Sequence, residues 1–368
     1  MFRLFLIATI AFGLLFSSLC AQSFTQRIES LHQTDGHLPG SYLQNQNAAG
    51  LVWYFSTIGL HAIALDGKHD QNVRNYLDLY LATANRPGGS INDVENLKAE
   101  TIQWKLSDSD DSYSSGLLSL ACWYSYRKGG EQWFQANVAQ LKYLASVNLV
   151  DAIDSKLNLT CTFNRLPNRF TEKLVVGEWN SRHDEDLINK TNFRNVCQLM
   201  DNCESYRGLK DFANRLAELK DPEASKFVTA YQTLSQGIRG MFDSTNNSFR
   251  VNTVPSDQVA FYPNRLIQIA PEVFDVDLGP KTQEIYNHAW NYLNAGADKW
   301  WEGQIIDGSN QGDPMMILAY AAACHDDKKK ALSHIKYFQT MLSLPSTSKT
   351  FSNIAELGWA LRATRKLR

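Results

Sequence analysis

The chain has 368 residues, of which 44% are hydrophobic and 11% aromatic, and its formal net charge is −2 at pH 7. Acidic and basic residues are evenly mixed along it, which argues against a nucleic-acid partner. The length suffices for a sizeable core, and the absence of a Pro/Gly/Ser-rich linker or a shift in composition predicts one domain rather than two.

The N-terminus has the pattern of a secretory signal peptide. Arg3 precedes an apolar run from Leu4 to Phe16, and small residues follow. The run is shorter than the roughly 20 residues that cross a bilayer. We therefore predict a signal peptide over residues 1–23, a single domain over residues 24–368, and a periplasmic or secreted protein without an integral membrane segment after signal cleavage.

The cysteines give no sign of a zinc site. Of the six cysteines, Cys20 belongs to the predicted leader, and the other five show no C-x-x-C spacing. Cys122 and Cys324 lie in apolar helical stretches and are predicted to be small buried side chains. Cys197 and Cys203 are a candidate disulfide pair in an oxidising compartment.

Apolar spacing predicts helices of two alternating types. The segments 48–65 and 113–126 are apolar on most faces, which is typical of buried helices, whereas 131–147 carries a single apolar stripe. Further pairs are 199–219 with 223–242, 257–269 with 281–293, 313–324 with 328–342, and 351–365 with 24–31. Together with the pair 113–126 and 131–147 and a hairpin that contains 48–65, they make six hairpins. Six hairpins predict an all-α fold, an (α/α)6 toroid, although an open helical solenoid would use the same hairpins.

Long polar connections separate the predicted hairpins, at 86–112, 152–195 and 294–312. Functional residues concentrate on long loops at one end of a rigid scaffold. The first of these connections ends in SDSDDSY, which places Asp108, Asp110 and Asp111 directly ahead of a buried helix that begins near Tyr113. A helix cap needs only one acid. The three aspartates therefore indicate either a cap with two further acids near the positive helix end or a site built from carboxyl groups.

This acidic turn, followed by a large residue and an apolar helix, resembles the second hairpin of family-eight glycoside hydrolases and related six-hairpin glycosidases, an endoglucanase-like group. The resemblance covers this hairpin and the helix rhythm. It implies that Asp110 and Asp111 lie at a substrate cleft beside the scissile bond. It also implies inversion by an activated water, with two carboxyl groups about 6.5–9.5 Å apart.

The chain departs from that family at its first buried helix. The family has a glutamate there, whereas the corresponding stretch GSYLQNQNAAG offers Gln44 and Gln46. Either another loop supplies the acid, or the protein binds sugar without cutting it.

Two later segments offer proton donors. In GEWNSRHDEDL, Glu178 stands beside Trp179, as expected of an acid held near an apolar sugar platform, although a solvated acidic loop is the alternative. In LMDNCESYRGL, Asp201 and Glu204 are three residues apart and share a helical face. The alternative is a helix cap, with Asp201 or Asn202 capping and Glu204 completing a capping box.

Aromatic and basic residues complete the candidate site. Trp300 and Trp301 are tandem tryptophans that would stack on a sugar or plug the end of a barrel. Asp313 is a substrate-binding candidate or a helix cap. Tyr262 and Arg265 precede an apolar stretch and are candidates to face the same cavity, with a core role as the alternative.

The chain has no glycine-rich phosphate loop, H-E-x-x-H or G-x-S-x-G sequence, so we expect neither a cofactor nor a metal. The sequence predicts a glycoside hydrolase-like protein that acts on a poly- or oligosaccharide. Its catalytic candidates are Asp110, Asp111, Glu178 and Glu204, and its substrate-binding candidates are Asp108, Tyr113, Trp179, Asp201, Tyr262, Arg265, Trp300, Trp301 and Asp313.

Two alternatives remain at this stage. One is a non-catalytic protein that binds glycans or assists envelope polysaccharide assembly on the same toroid. The other is a polysaccharide lyase, in which Tyr113 or Tyr262 would act as the base and Arg265 would neutralise a uronate.

Overall fold

The structure, a computed structural model, describes residues 20–34, 38–45, 50–84, 89, 91–97, 102–105, 109–160, 196–253, 260–296, 298–305, 314–344 and 353–368. The chain divides into two compact units. The first spans Met1–His69 and Ala297–Arg368, and the second spans Asp70–Gly296. Most of the predicted signal peptide lies outside the described residues, so that prediction stays a prediction.

The described part of the chain is mainly helical, which confirms the predicted all-α class. Its helices are α1 (20–29), α2 (Trp53–Ala64), α3 (Asp70–Thr83), α4 (Asp110–Ser125), α5 (Gly130–Asn148), α6 (Leu199–Glu218), α7 (Ala224–Gly240), α8 (Ala270–Val273), α9 (Thr282–Asn294), α10 (Ile317–Cys324), α11 (Lys328–Ser343) and α12 (Ile354–Lys366). The described strands form three antiparallel pairs, β1 (Asp93–Asn96) with β2 (Gln103–Lys105), β3 (Ile153–Asp154) with β4 (Leu159–Thr160), and β5 (Phe242–Asp243) with β6 (Ser248–Phe249).

One predicted helix of the second unit is broken. The sequence predicts a helix over 257–269, but a π-helical turn over Phe261–Arg265, interrupted by extended backbone at Tyr262, leads into a 3-10 helix over Leu266–Ile269 and then into α8. Pro263 and Pro271 lie in this stretch, and proline removes a backbone donor and crowds the preceding helical turn. An irregular sequence of short turns therefore replaces the regular helix.

Helices α4 and α6 run parallel in the second unit. Ser109 approaches Asp201 at their beginnings, and Arg215 stacks on the Tyr126 ring at their ends. Between these points α6 has Gly208, and a Cβ added there would lie 2.6 Å from the Cα of Ser115. The missing side chain allows the two backbones to approach closely. Acidic residues in the first turns of both helices are thereby brought to the same end of the pair.

Two short hairpins of the second unit are held by the same device. In β4, the N–H of Thr160 donates to Oδ1 of Asn202 at 2.7 Å, and Nδ2 of Asn202 donates back to the Thr160 carbonyl at 2.9 Å. In β6, Phe249 exchanges the same two bonds with the side-chain amide of Gln268, at 2.6 and 2.8 Å. All four residues are buried. We call this arrangement the amide clamp.

In the first unit, α2 and α12 also meet through glycine. A Cβ added to Gly358 would lie 3.0 Å from the Cα of Gly59, so bulkier residues would force the helices apart. No helix in the described stretches is long and apolar enough to cross a membrane.

The cysteines differ in part from expectation. Cys197 is disulfide-bonded and Cys203 is a buried free thiol, so the predicted bond between these two residues is wrong. Cys122 is buried as predicted, whereas Cys324 is half-buried.

Candidate functional site

The acidic turn opens α4 without capping it. The helix begins at Asp110, so the N-cap residue is Ser109, and its side chain makes no capping hydrogen bond. Asp110 and Asp111 are the first two helical residues, which corrects the capping interpretation of either acid. Both lie at the positive end of the helix dipole, where negative charge is favoured.

Asp111 is a buried acid, with 2% of its surface exposed. Its Oδ1 accepts hydrogen bonds from the Ser109 hydroxyl at 2.5 Å and from the Ser112 N–H at 3.1 Å. Burial raises the pKa of Asp111, and the bonds from Ser109, Ser112 and the Thr160 side chain oppose that rise. The neighbouring Asp110 is half-buried and so remains more open to a ligand.

The second pair of predicted acids lies in the first two turns of α6. That helix begins at Leu199, and the side chain of its N-cap residue forms no cap. The capping interpretation of Asp201, Asn202 and Glu204 is therefore wrong, because Asn202 instead clamps Thr160. Asp201 is half-buried, whereas Glu204 is 7% exposed.

The two helix starts meet at one hydroxyl group. Ser109 Oγ lies 2.5 Å from Oδ1 of Asp111 and 3.4 Å from Oδ2 of Asp201. Cys203 lies close to the acids of α6. Burial raises the pKa of its thiol most, and the charges of Glu204 and Asp201 raise it further. The structure therefore brings Asp111, from the acidic turn before α4, close to Asp201 and Glu204 of α6.

Tyr113 has a different role from the predicted one. Its hydroxyl donates to Oδ2 of Asp93 at 2.8 Å, and both side chains are buried. A phenol with 2% exposure that is bonded to a carboxylate cannot contact a sugar or serve as an accessible base, so the substrate-binding and lyase predictions for Tyr113 are corrected. Sequence reasoning missed Asp93, which lies on β1 in a connection that helical periodicity cannot interpret.

Tyr262 and Arg265 lie in the π-helical turn before α8. Tyr262 is exposed, Arg265 is half-buried, and the intervening Pro263 follows a cis peptide bond. The Arg265 guanidinium packs into the space that a Cβ would fill at Gly296. Their substrate contacts stay a prediction.

The tandem tryptophans belong to the first unit and differ from one another. Trp300 is completely buried, with its ring edge-on to His334 at 5.3 Å. A ring without an exposed face cannot stack on a sugar, so the prediction for Trp300 is corrected to a core role. Trp301 is half-buried, and the ammonium group of Lys330 lies 4.9 Å from its ring centroid.

His334 is a buried neutral histidine of the same core. Its Nε2 lies 2.7 Å from the carbonyl of Pro314, just ahead of α10. Burial lowers the pKa of His334 to about 4, against opposing bonds to backbone groups. The imidazole therefore stays uncharged at neutral pH and supports the core.

A further acid of the first unit escaped sequence reasoning. Glu356 lies in the first turn of α12 and is half-buried. The N-x-x-E spacing from Asn353 predicts a capping box, and Asn353 does cap α12. Glu356, however, accepts a hydrogen bond from the N–H of Met316 at the start of α10. The spacing identifies the helix start but not this bond to another helix.

Four predicted site residues, Asp108, Glu178, Trp179 and Asp313, lie outside the described residues, and their roles stay predictions. Within the described stretches, no group of three or more His, Cys, Asp or Glu side chains is arranged to hold a metal ion. The arrangement can accept hydrogen bonds and exchange protons through two half-buried carboxyl groups, Asp110 and Asp201, which lie at the beginnings of helices that also carry the buried Asp111 and Glu204.

No protein-family model matches the chain, and no curated protein matches its sequence. Solved structures do match. A protein described as a wild-type glycosidase aligns with a TM-score of 0.62 at 10% identity, over 96% of this chain and 97% of that one. Mannosylglycerate hydrolase of glycoside hydrolase family 63 from Thermus thermophilus, solved with glucose, aligns with a TM-score of 0.59 at 11% identity, over 94% and 99% of the two chains.

An uncharacterised conserved protein of the same organism aligns with a TM-score of 0.58 at 10% identity, over 94% and 99%. At such low sequence identities the structural likeness shows only that the fold is shared. The chain therefore shares its all-α fold with glycosidases of the toroid type. The narrower resemblance to family eight stays a prediction.

Proposed function

We propose that this protein is a glycoside hydrolase that acts on a poly- or oligosaccharide through carboxyl groups at the beginnings of α4 and α6. The observation that carries the proposal is the meeting of Asp110, Asp111 and Asp201 at one end of two parallel helices. Carboxyl groups in pairs are what glycosidic cleavage requires. The shared fold with glycosidases supports the same class. The predicted leader supports an exported protein.

In this proposal Asp110 is the carboxylate that faces the substrate. It is half-buried and opens α4, whereas Asp111 is almost fully buried. Asp111 and Asp201 do not form an inverting pair, because one hydroxyl bridges their oxygens. Inverting enzymes instead leave about 6.5–9.5 Å for a water molecule. Asp110 then acts as general base, and the proton donor is a second carboxyl group, for which Glu178 and the buried Glu204 are the candidates.

Reducing-end release from a panel of oligo- and polysaccharides tests the proposal. We expect hydrolysis by the parent protein and a loss of about 10²–10⁴-fold in Asp110→Asn, the range typical of a removed acid or base. Asp211→Asn is the matched control, because it removes an acid of α6 that is ion-paired with Arg207. Equal losses in both variants would contradict a catalytic Asp110.

The anomeric configuration of the first product, followed by proton NMR, separates the mechanisms. A product of opposite configuration to the substrate supports the activated water, and retention would overturn it. Hydrolysis of no glycoside, together with retained binding of one of them, would assign the protein to the glycan-binding class instead.

A further inference from the structure

A cavity of about 470 Å³, open to solvent, lies between α3 and α5 of the second unit. Sites for small molecules occupy about 300–1,000 Å³, so this cavity has room for a small ligand. It is lined by Asp78, Leu81, Ala82, Ala84, Asn137 and Gln140. The acids of the proposed active site begin α4 and α6, so two other helices form this cavity.

Hydrogen bonds between α3 and α5 hold the cavity walls in place. Nε1 of Trp133 on α5 donates to Oδ1 of Asp78 on α3 at 2.6 Å. Nε2 of Gln140 on α5 donates to the Leu81 carbonyl on α3 at 2.8 Å. Because lining residues themselves join the two helices, the cavity is preformed, which reduces the ordering that a ligand must impose when it binds.

Two amide side chains of α5 keep part of their hydrogen-bonding capacity. Nδ2 of Asn137 donates to the Trp133 carbonyl at 2.9 Å, and Nε2 of Gln140 donates to α3. A side-chain amide has two N–H donors and one oxygen acceptor. Each amide therefore retains one N–H and its oxygen, for which the described part of the chain supplies no partner. Both residues are half-buried and so remain accessible to a ligand.

The charge at the cavity is balanced. Asp78 is the one charged residue among the described lining residues, and Nε of Arg74 lies 3.5 Å from its Oδ2. The described stretches also contain no group of three His, Cys, Asp or Glu side chains that could hold a metal ion. A cation would therefore meet no excess negative charge, and the remaining N–H groups of the two amides would repel it. A neutral ligand fits the lining better.

We propose that this cavity binds a neutral saccharide through its hydroxyl groups. A hydroxyl group both donates and accepts, so it matches an amide that retains one N–H and one oxygen. Sugar hydroxyls bond to Asn137 and Gln140 in this way, and a further hydroxyl donates to the carboxylate of Asp78, which has about four acceptor positions and uses two. The cavity alone calls for a neutral polyol, and the choice of a saccharide rests on the proposed function.

NMR of the side-chain amides of the mature protein tests the site. The probes are glucose, mannose, galactose and cellobiose, each added in turn. We expect at least one of them to cause saturable shifts of the Asn137 and Gln140 amide resonances, which are assigned by their loss in Asn137→Ala and Gln140→Ala. Asn137→Ala should weaken binding, followed at Gln140, by about 2–10-fold, the contribution of one hydrogen bond.

A bulky side chain in the cavity separates this site from any other. Ala82 is exposed and lines the cavity, so Ala82→Trp fills the space and should abolish the shifts. Ala139→Trp is the matched control, because Ala139 is an exposed alanine of α5 that is not a lining residue, and the shifts should persist in it. If Ala82→Trp does not fold, Asn137→Ala decides alone.

Three results would overturn the proposal. The first is the absence of a saturable shift with all of the sugars. The second is shifts that are unchanged in Ala82→Trp, because the sugar would then bind elsewhere. The third is a response of the two amides to Ca²⁺ or ethylammonium and to none of the sugars, which would make the cavity a cation site.

The consequence for turnover rests on the proposed function. A polysaccharide held in the cavity stays near the acids, so Ala82→Trp should raise KM for a polysaccharide and leave kcat unchanged, with no effect in Ala139→Trp. Amide shifts in a protein that cleaves no glycoside would refute the proposed function and leave the cavity site standing. Hydrolysis without amide shifts would refute the cavity site alone.

Discussion

Replacing Gly208 by alanine should weaken the protein at the point where α4 and α6 are closest. The added Cβ would lie 2.6–2.7 Å from the Cα, Cβ and carbonyl oxygen of Ser115, and two of these atoms are backbone that cannot rotate away. Crowding of a packed core costs about 1–3 kcal/mol, and backbone contacts place this site at or above the upper end of that range. Alanine recovers about 1 kcal/mol of helix propensity. We therefore expect a net loss of about 2 kcal/mol.

Urea and thermal unfolding measure this loss. The expected fall in melting temperature is about 4–8 °C for a unit of this size. Gly240→Ala is the control, because Gly240 also lies in a helix but has no atom within 4 Å of an added Cβ. The control should be neutral or slightly stabilising. A Gly208→Ala protein as stable as the parent would refute the close packing that brings the acids together.

Four further substitutions test the buried polar groups. Asn202→Ala leaves the N–H and carbonyl of Thr160 buried without their clamp and should cost about 2–4 kcal/mol in urea unfolding, and Gln268→Ala should behave alike. His334 is neutral when folded, so stability should be lost as pH falls from about 6.5 to about 4, by roughly 3 kcal/mol, and a His334→Gln protein should lack this loss. Burial raises the pKa of Asp111 on folding, so the free energy of unfolding should decline as pH rises through that raised value. Asp111→Asn should remove this decline. An unchanged pH dependence of stability in the Asp111 or the His334 variant would contradict the role of burial.

Most of the helices can be predicted from the sequence because they have a repeated apolar spacing, whereas α3 received no prediction and the helix expected over 257–269 is broken. Residues 131–147 were predicted as an outer helix from one apolar stripe, and α5 spans Gly130–Asn148. The hairpins β3–β4 and β5–β6 escaped because strands of two residues have no periodicity to detect. A signal was nevertheless present, since the hairpin sequences DSKLN and DSTNN share an aspartate at the start and an asparagine four residues later.

Those shared residues have a physical role. Asp154 accepts hydrogen bonds from the N–H groups of the following turn, as does Asp243 in the other hairpin. Asn158 and Asn247 both adopt positive φ, of 57° and 54°, which asparagine tolerates better than most residues.

The candidate site was predictable in its residue types and not in its contacts. The sequence predicts Asp110, Asp111 and Asp201 as acids at helix starts, and the structure places them in the first turns of α4 and α6, with Glu204 one turn further along α6. Which of them are buried depends on the approach of α4 and α6 through Gly208, a long-range contact that no local pattern encodes. The same limit explains why Trp300 was predicted at a sugar and lies in the core.

The amide clamp holds its two hairpins mainly through main-chain atoms, with one further hydrogen bond from the Thr160 hydroxyl to Oδ1 of Asn202 at 3.1 Å. Apart from that hydroxyl, Asn202 and Gln268 do not distinguish among the side chains at Thr160 and Phe249, and proline alone is excluded because it has no N–H to offer. The turns between the clamped strands are consequently free to diverge or lengthen while their ends stay fixed. Segments of foreign sequence could be grafted into these turns at residues 155–157 and 244–246, which keeps the positive φ of Asn158 and Asn247 and the packing of the Asn158 carbonyl against Gly237.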